Sequence, residues 1–174
     1  PLHESYEKFY SFSREQAMQA VSYYREYYEE KGMFENEVYP GIKQLLRDLT
    51  KQGVLCLVAT SKPEIYAKKI LDYYELSNYF YYIAGANMDG TRTDKAEVIA
   101  YALKQIPAEY SNKKVLMVGD RSHDIIGAKK NGIDCAGVLF GYGSSEELEE
   151  AGADFIADSV EAVRNIILLD TAMN

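Results

Sequence analysis

Apolar and polar positions change rhythm along this chain. From Ala17 the rhythm is helical, with Ala17, Ala20, Val21, Tyr24, Tyr27 and Tyr28 recurring on one face. Ser13-Arg14-Glu15-Gln16 sets a hydroxyl at the N-cap and an amide three residues on, the capping box that opens such a helix. Lys31-Gly32 supplies its stop. After the junction Tyr39-Pro40-Gly41, helical stretches alternate with short apolar runs. Ile42, Leu45, Leu46 and Leu49 predict a helix ending at Gly53, and Val54–Ala59 is an unbroken apolar run, as in a strand covered on both faces. Pro63 falls in the first turn of the next helix, whose buried face is Ala67, Ile70, Leu71 and Tyr74. Tyr81–Ala84 reads as a short strand, Ala96, Ile99, Ala100 and Leu103 as a helix, and Val115–Val118 as a second buried strand. A helix stopping at Asn131-Gly132 follows, then strands at Cys135–Leu139 and Phe155–Ala157, and a last helix capped by Ser159 that carries Val163, Ile166 and Ile167.

Strands separated by helices imply right-handed crossovers. The expected fold is therefore α/β with a mostly parallel sheet over residues 38–174, preceded by a separate helical segment over residues 1–37. Composition narrows the function. The 174 residues are 47% hydrophobic, enough for a real core, and no run is long and uncharged enough to span a membrane. A net charge of -8 argues against a nucleic-acid surface but leaves room for a small anionic substrate held by local cations and a metal. Cys56 and Cys135 both sit in apolar runs and read as reduced thiols, which favours the cytoplasm.

In a sheet of this kind ligands sit beyond the carboxyl ends of the strands. Thr60-Ser61-Lys62-Pro63 follows the first apolar run, and Gly119-Asp120-Arg121-Ser122-His123-Asp124 follows the run at Val118. Between them Arg92-Thr93-Asp94-Lys95 opens a helix. Thr60 and Ser61 offer a hydroxyl and an N–H where a helix is about to start, a place that attracts anions. Ser61-x-x-Glu64 is also a capping box, and the two residues alone favour that reading. Lys95 near a helix N-terminus is a mild misfit with the dipole and points to an anionic partner, although for any single lysine an exposed side chain paired with Asp94 or Glu97 is the favoured reading. Asp120 and Asp124 are the sharpest feature, because two carboxylates at one strand end repel unless a cation lies between them, and hard oxygen ligands suit Mg2+. Capping by Asp120 or Ser122 does not call for the second carboxylate. His123 reads as a solvent-facing helix residue, and the tyrosine face as packing rather than a stacking surface for substrate.

In their order these stretches resemble the haloacid dehalogenase superfamily. Val58-Ala59-Thr60-Ser61-Lys62-Pro63 looks like its second motif, Thr93-Asp94-Lys95-Ala96-Glu97-Val98-Ile99 like its third, and Val118-Gly119-Asp120-Arg121-Ser122-His123-Asp124 like its fourth. The phosphoglycolate phosphatase-like subgroup is the nearest in appearance, and residues 1–37 look like the second half of its helical cap. The resemblance implies an α/β fold with a Rossmann-like doubly wound parallel sheet and a partial helical cap, and hydrolysis of a small phosphorylated metabolite through an aspartyl-phosphate. It gives Thr60 and Ser61 the phosphoryl group, Lys95 the neutralisation of charge, and Asp120 and Asp124 the Mg2+.

One departure is large. The family's first motif, Asp-x-Asp at the end of a central strand, occurs nowhere in this chain. Asn87-Met88-Asp89-Gly90-Thr91 imitates it but comes after the second motif and follows no long strand. The expectation is an N-terminal truncation within the cap, a chain inactive alone, and a sheet with a gap between the strands that carry Thr60 and Asp120. A non-catalytic phosphate- or metal-binding module of the same fold is the alternative. A phospho-acceptor receiver domain ranks lower, since Thr60 and Lys62 share one strand end. A dehalogenase ranks lower too, because it has no need of Asp120 and Asp124.

Overall fold

The computed structural model describes residues 2–171, so Pro1 and residues 172–174 at the ends of the two expected segments lie outside it. The chain divides into two compact units, with the boundary between Glu37 and Val38. In the first, α1 (Leu2–Tyr10) and α2 (Arg14–Glu30) are followed by a 3-10 turn at Gly32–Phe34. The capping box forms in full: the Gln16 N–H donates to Ser13 Oγ at 3.2 Å and the Ser13 N–H to Gln16 Oε1 at 2.9 Å. Ala17 and Val21 are the buried positions of α2, while Tyr24 and Tyr28 stack on each other with ring centroids 5.5 Å apart.

The second unit alternates α3 (Ile42–Lys51), β1 (Leu57–Pro63), α4 (Glu64–Tyr73), β2 (Tyr82–Ala86), α5 (Lys95–Leu103), β3 (Leu116–Gly119), α6 (Ser122–Lys130), β4 (Asp134–Val138), α7 (Ser145–Glu150), β5 (Phe155–Ala157) and α8 (Val160–Thr171). Every strand pairing is parallel. On β4 the two-residue period assigns the faces. Cys135 belongs to a cluster with Ile125, Ala128 and Leu148 of α6 and α7, whereas Val138 packs with Leu45, Leu49 and Val163 of α3 and α8. Helices thus cover both faces, the doubly wound arrangement that the family resemblance implies. Ser159 caps α8 through its Oγ, which accepts the Ala162 N–H at 3.2 Å.

The strands form two sheets, β1 with β2 and β3-β4-β5, among the described residues. One edge of β1 and one edge of β3 therefore lack a ladder partner there. This changes what the apolar runs look like in three dimensions. Val118, expected in a buried strand, is 36% exposed, because a strand buried on all sides needs neighbours at both edges and β3 has only β4. The first strand also differs from expectation. It begins at Leu57 rather than Val54 and continues through Pro63, so Pro63 is the N-cap residue of α4 and not part of its first turn.

Candidate active site

The extension of β1 is a bulge. Ala59 pairs with Ala84 and Pro63 with Ala86, so Thr60, Ser61 and Lys62 together oppose Gly85 alone. Extra residues in one strand release backbone groups from the ladder and re-aim side chains. Gly85 makes the bulge fit, since a Cβ there would fall 2.6 Å from the backbone of Glu64. The capping box read from Ser61 and Glu64 does not form: α4 has no side-chain cap, and Ser61 is exposed. Thr60 Oγ1 instead accepts the Lys62 N–H at 3.2 Å, which leaves its own proton free for an oxygen acceptor.

Lys95 is not the solvated lysine that its local sequence suggests. Asp94 supplies the cap of α5 by accepting the Ala96 N–H at 2.8 Å, and the lysine side chain turns inward, only 11% exposed. Its stem passes over Gly127, whose missing Cβ would sit 3.0 Å from Lys95 Cγ. Its ammonium donates to the Ala59 carbonyl at 3.1 Å and lies 2.8 Å from Asp124 Oδ1. One cation thus joins the carboxyl end of β1 to the segment that follows β3.

Asp124 is buried, with a residue exposure of 4%. Its Oδ2 accepts the N–H groups of both Asp120 and Arg121 at 3.2 Å. The second carboxylate therefore does help to cap α6, contrary to the premise that capping has no use for it. Its Oδ1 meets the Lys95 charge but makes no hydrogen bond of ordinary geometry. Gly119 is required by contact rather than by a turn, since a Cβ on it would fall 2.4 Å from Asp124 Cβ. Asp120 is half-buried, and its Oδ2 accepts the Tyr142 N–H at 2.9 Å. Two hard carboxylates with incompletely satisfied oxygens, close in the chain and at a strand end, suit Mg2+. Among the described residues no group of three His, Cys, Asp or Glu forms a fuller ligand set, and Mg2+ commonly completes its shell with water and substrate oxygens. His123 is 56% exposed, as expected.

Sequence reasoning missed two groups around this centre. Glu147 reaches from α7 to accept the Ser122 N–H at 2.8 Å and Arg121 Nε at 3.0 Å. These partners, the Ser122 N–H first, hold its carboxyl down to about 2. The folded-state value lies below the ordinary 4.5, so its stabilising contribution is complete above 4.5 and fades as pH falls toward about 2. The melting-temperature gap between the parent and Glu147→Gln is expected to be widest above pH 4.5 and to close on acidification through that window. A gap that stays constant with pH would show that the carboxylate is not held in this way. The other group is Arg92, whose guanidinium stacks 3.7 Å over the Tyr101 ring and donates to Gly85 O, Glu64 and Asn87. It borders a cleft of about 410 Å3 lined also by Ile65, Lys68 and Met88, separate from the Lys95–Asp124 contact. The imitation motif at Asn87–Thr91 is a self-bonded loop, in which Asp89 Oδ1 accepts the Thr91 N–H at 2.9 Å.

The family described as haloacid dehalogenase-like hydrolase matches residues 1–138. A 5'-nucleotidase of Pseudomonas aeruginosa is 37% identical over 169 residues, 96% of this chain and 75% of that protein. Tyrosine-protein kinase PtkA of Mycobacterium tuberculosis is 37% identical over 155 residues, 88% of this chain, and the chain spans only 53% of that protein's length. The structure of that kinase superposes with a TM-score of 0.78 at 36% identity, covering 96% of this chain and 76% of the solved one. The phosphoglycolate phosphatase of Vibrio cholerae is 26% identical over 157 residues, 90% of this chain and 69% of that protein.

Proposed function

Because this chain belongs to the haloacid dehalogenase-like hydrolase family, we propose that it forms the greater part of a Mg2+-dependent phosphate-monoester hydrolase that works through an aspartyl-phosphate. The observation that carries this reading is the inward-turned Lys95, which ties the Ala59 carbonyl at the end of β1 to Asp124 beyond the end of β3. Phosphoryl transfer needs placement and charge neutralisation more than covalent help from many groups. Lys95 supplies fixed positive charge where the phosphoryl oxygens develop negative charge. The bulge at Thr60 and Ser61 supplies a hydroxyl and backbone N–H groups released from the ladder, which suit those same oxygens. Asp120 and Asp124 would hold Mg2+, which when bound neutralises a phosphoryl oxygen. In this reading Asp124 serves twice, fixing the turn with Oδ2 and facing cations with Oδ1.

The nucleophile is an aspartate on a further parallel strand lying between the open edges of β1 and β3, and residues 1–37 are the second half of the cap. The two separate sheets support this placement, and the chain alone is then inactive. The names of two of the relatives, a 5'-nucleotidase and a phosphoglycolate phosphatase, favour a small phosphorylated metabolite. A cytoplasmic setting agrees with two free thiols, and among the described residues no helix is long and apolar enough to cross a membrane. The absence of Asp-x-Asp from the chain favours one other reading, a module that binds phosphate or metal without turnover. Adding the strand-bearing segment back, in cis or as a separate fragment, decides between them. Hydrolysis of p-nitrophenyl phosphate should appear only with the segment and Mg2+. Binding of phosphate with no turnover in the completed protein would favour the module.

A further inference from the structure

Glu147 has no part in that reaction scheme, yet it is tied to the turn on which the scheme depends. Its Oε1 caps the first turn of α6 by taking the Ser122 N–H, and it holds the Arg121 side chain in the same grip. Both residues lie between Asp120 and Asp124. The segment leading to Glu147 holds the other side of the turn. The Tyr142 N–H is bonded to Asp120 Oδ2, and Gly143 lies so close that a Cβ on it would fall 2.2 Å from the Asp120 carbonyl oxygen. This brace is itself anchored. Ser144 Oγ accepts the Glu147 N–H at 3.2 Å, and Leu148 is fully buried against Ile125 and Cys135.

We propose that Glu147 is a positioning residue, which through the Ser122 N–H fixes the spacing and orientation of Asp120 and Asp124 and so sets their affinity for Mg2+. The inference rests on the metal reading above. It differs from a plain capping role in one respect: it links a carboxylate on α7 to metal affinity and not only to stability. Residues that orient metal ligands typically change affinity by about 10–100-fold when removed. Glutamine at this position keeps an oxygen for the Ser122 N–H while discarding the charge, so it separates position from electrostatics.

The experiment is calorimetric titration of Mg2+ alone into the protein completed by its strand-bearing segment, below the melting temperature of each variant. Glu147→Ala should bind Mg2+ about ten-fold more weakly or worse, while Glu147→Gln and Arg121→Ala stay within about three-fold of the parent. Glu147→Ala with the parent's affinity and only a lower melting temperature would overturn the proposal in favour of a cap alone. Glu147→Gln as weak as Glu147→Ala would overturn it in favour of a charge effect. No Mg2+ binding by the parent would overturn the metal reading beneath it, an outcome distinct from either.

Discussion

Lys95→Met should destabilise the second unit by about 3–5 kcal/mol, because removing one partner of a buried pair leaves the other charge uncompensated. The pair is Lys95 Nζ and Asp124 Oδ1, 2.8 Å apart, with side chains 11% and 6% exposed. Methionine nearly matches the lysine stem in length and keeps its passage over Gly127, so packing should change little. The loss would come from Asp124, which cannot turn to water while its other oxygen holds two backbone N–H groups. The double variant Lys95→Met/Asp124→Leu should recover part of the loss, since a buried pair can be replaced by apolar groups at little cost. Those two N–H groups, newly unsatisfied, would prevent full recovery. In the completed protein the single variant should also lose about 10²–10³-fold in kcat, the size expected for one preorganised electrostatic contact. Denaturant unfolding checks the first number and p-nitrophenyl phosphate turnover the second. A change in stability below about 1 kcal/mol, the worth of an exposed pair, would mean that the two groups are not buried together.

The second large effect concerns a residue with no side chain. A Cβ at Gly141 would lie 2.2 Å from Asp120 Cβ and 2.5 Å from its Oδ2. The near atom is the first of the Asp120 side chain, fixed to the end of β3, so it cannot swing away as a flexible tip would. Gly141→Ala must therefore displace Asp120 or the loop that holds it. A shift of about 1 Å in a reacting group costs on the order of 10²-fold in rate. Turnover should fall by that amount, with a stability loss of about 1–3 kcal/mol from overpacking. Gly132→Ala is the control. It adds a Cβ at a left-handed φ of +67° with nothing within 4 Å, so it should cost about 1–2 kcal/mol of backbone strain and leave kcat unchanged. Equal activity in the two variants would contradict the placement of the Gly141 loop against Asp120.

The helices are legible because a 3.6-residue period is written directly in the chain, and the strands because short unbroken apolar runs between helices mark strands covered on both faces. Asp120 and Asp124 stood out because a second carboxylate four residues on asks for a reason. The reason is broader than the pattern suggested, since Asp124 also caps. Lys95 was ambiguous because its neighbours Asp94 and Glu97 offered a solvent pairing, and only the packing of α5 beside α6 turns it inward. The bulge at Thr60–Lys62 has the sequence of a helix start, because Ser61-x-x-Glu64 has the form of a capping box. What decides against that box is Gly85, 24 positions or so further on. Glu147 and the Tyr142 N–H gave no signal at all. A cap donated from another helix leaves no local signature, and a backbone donor leaves none of any kind.

The central claim is that Lys95, Asp120 and Asp124 are the metal- and phosphate-handling half of a hydrolase site completed by a further strand. The most direct test is p-nitrophenyl phosphate hydrolysis by the completed protein, with Mg2+ and with the metal chelated, in the parent and in Asp120→Asn. Turnover that needs Mg2+, stops on chelation and falls by at least about 10²-fold in Asp120→Asn is the predicted result. Turnover that survives chelation, or that Asp120→Asn leaves unchanged, would contradict the claim.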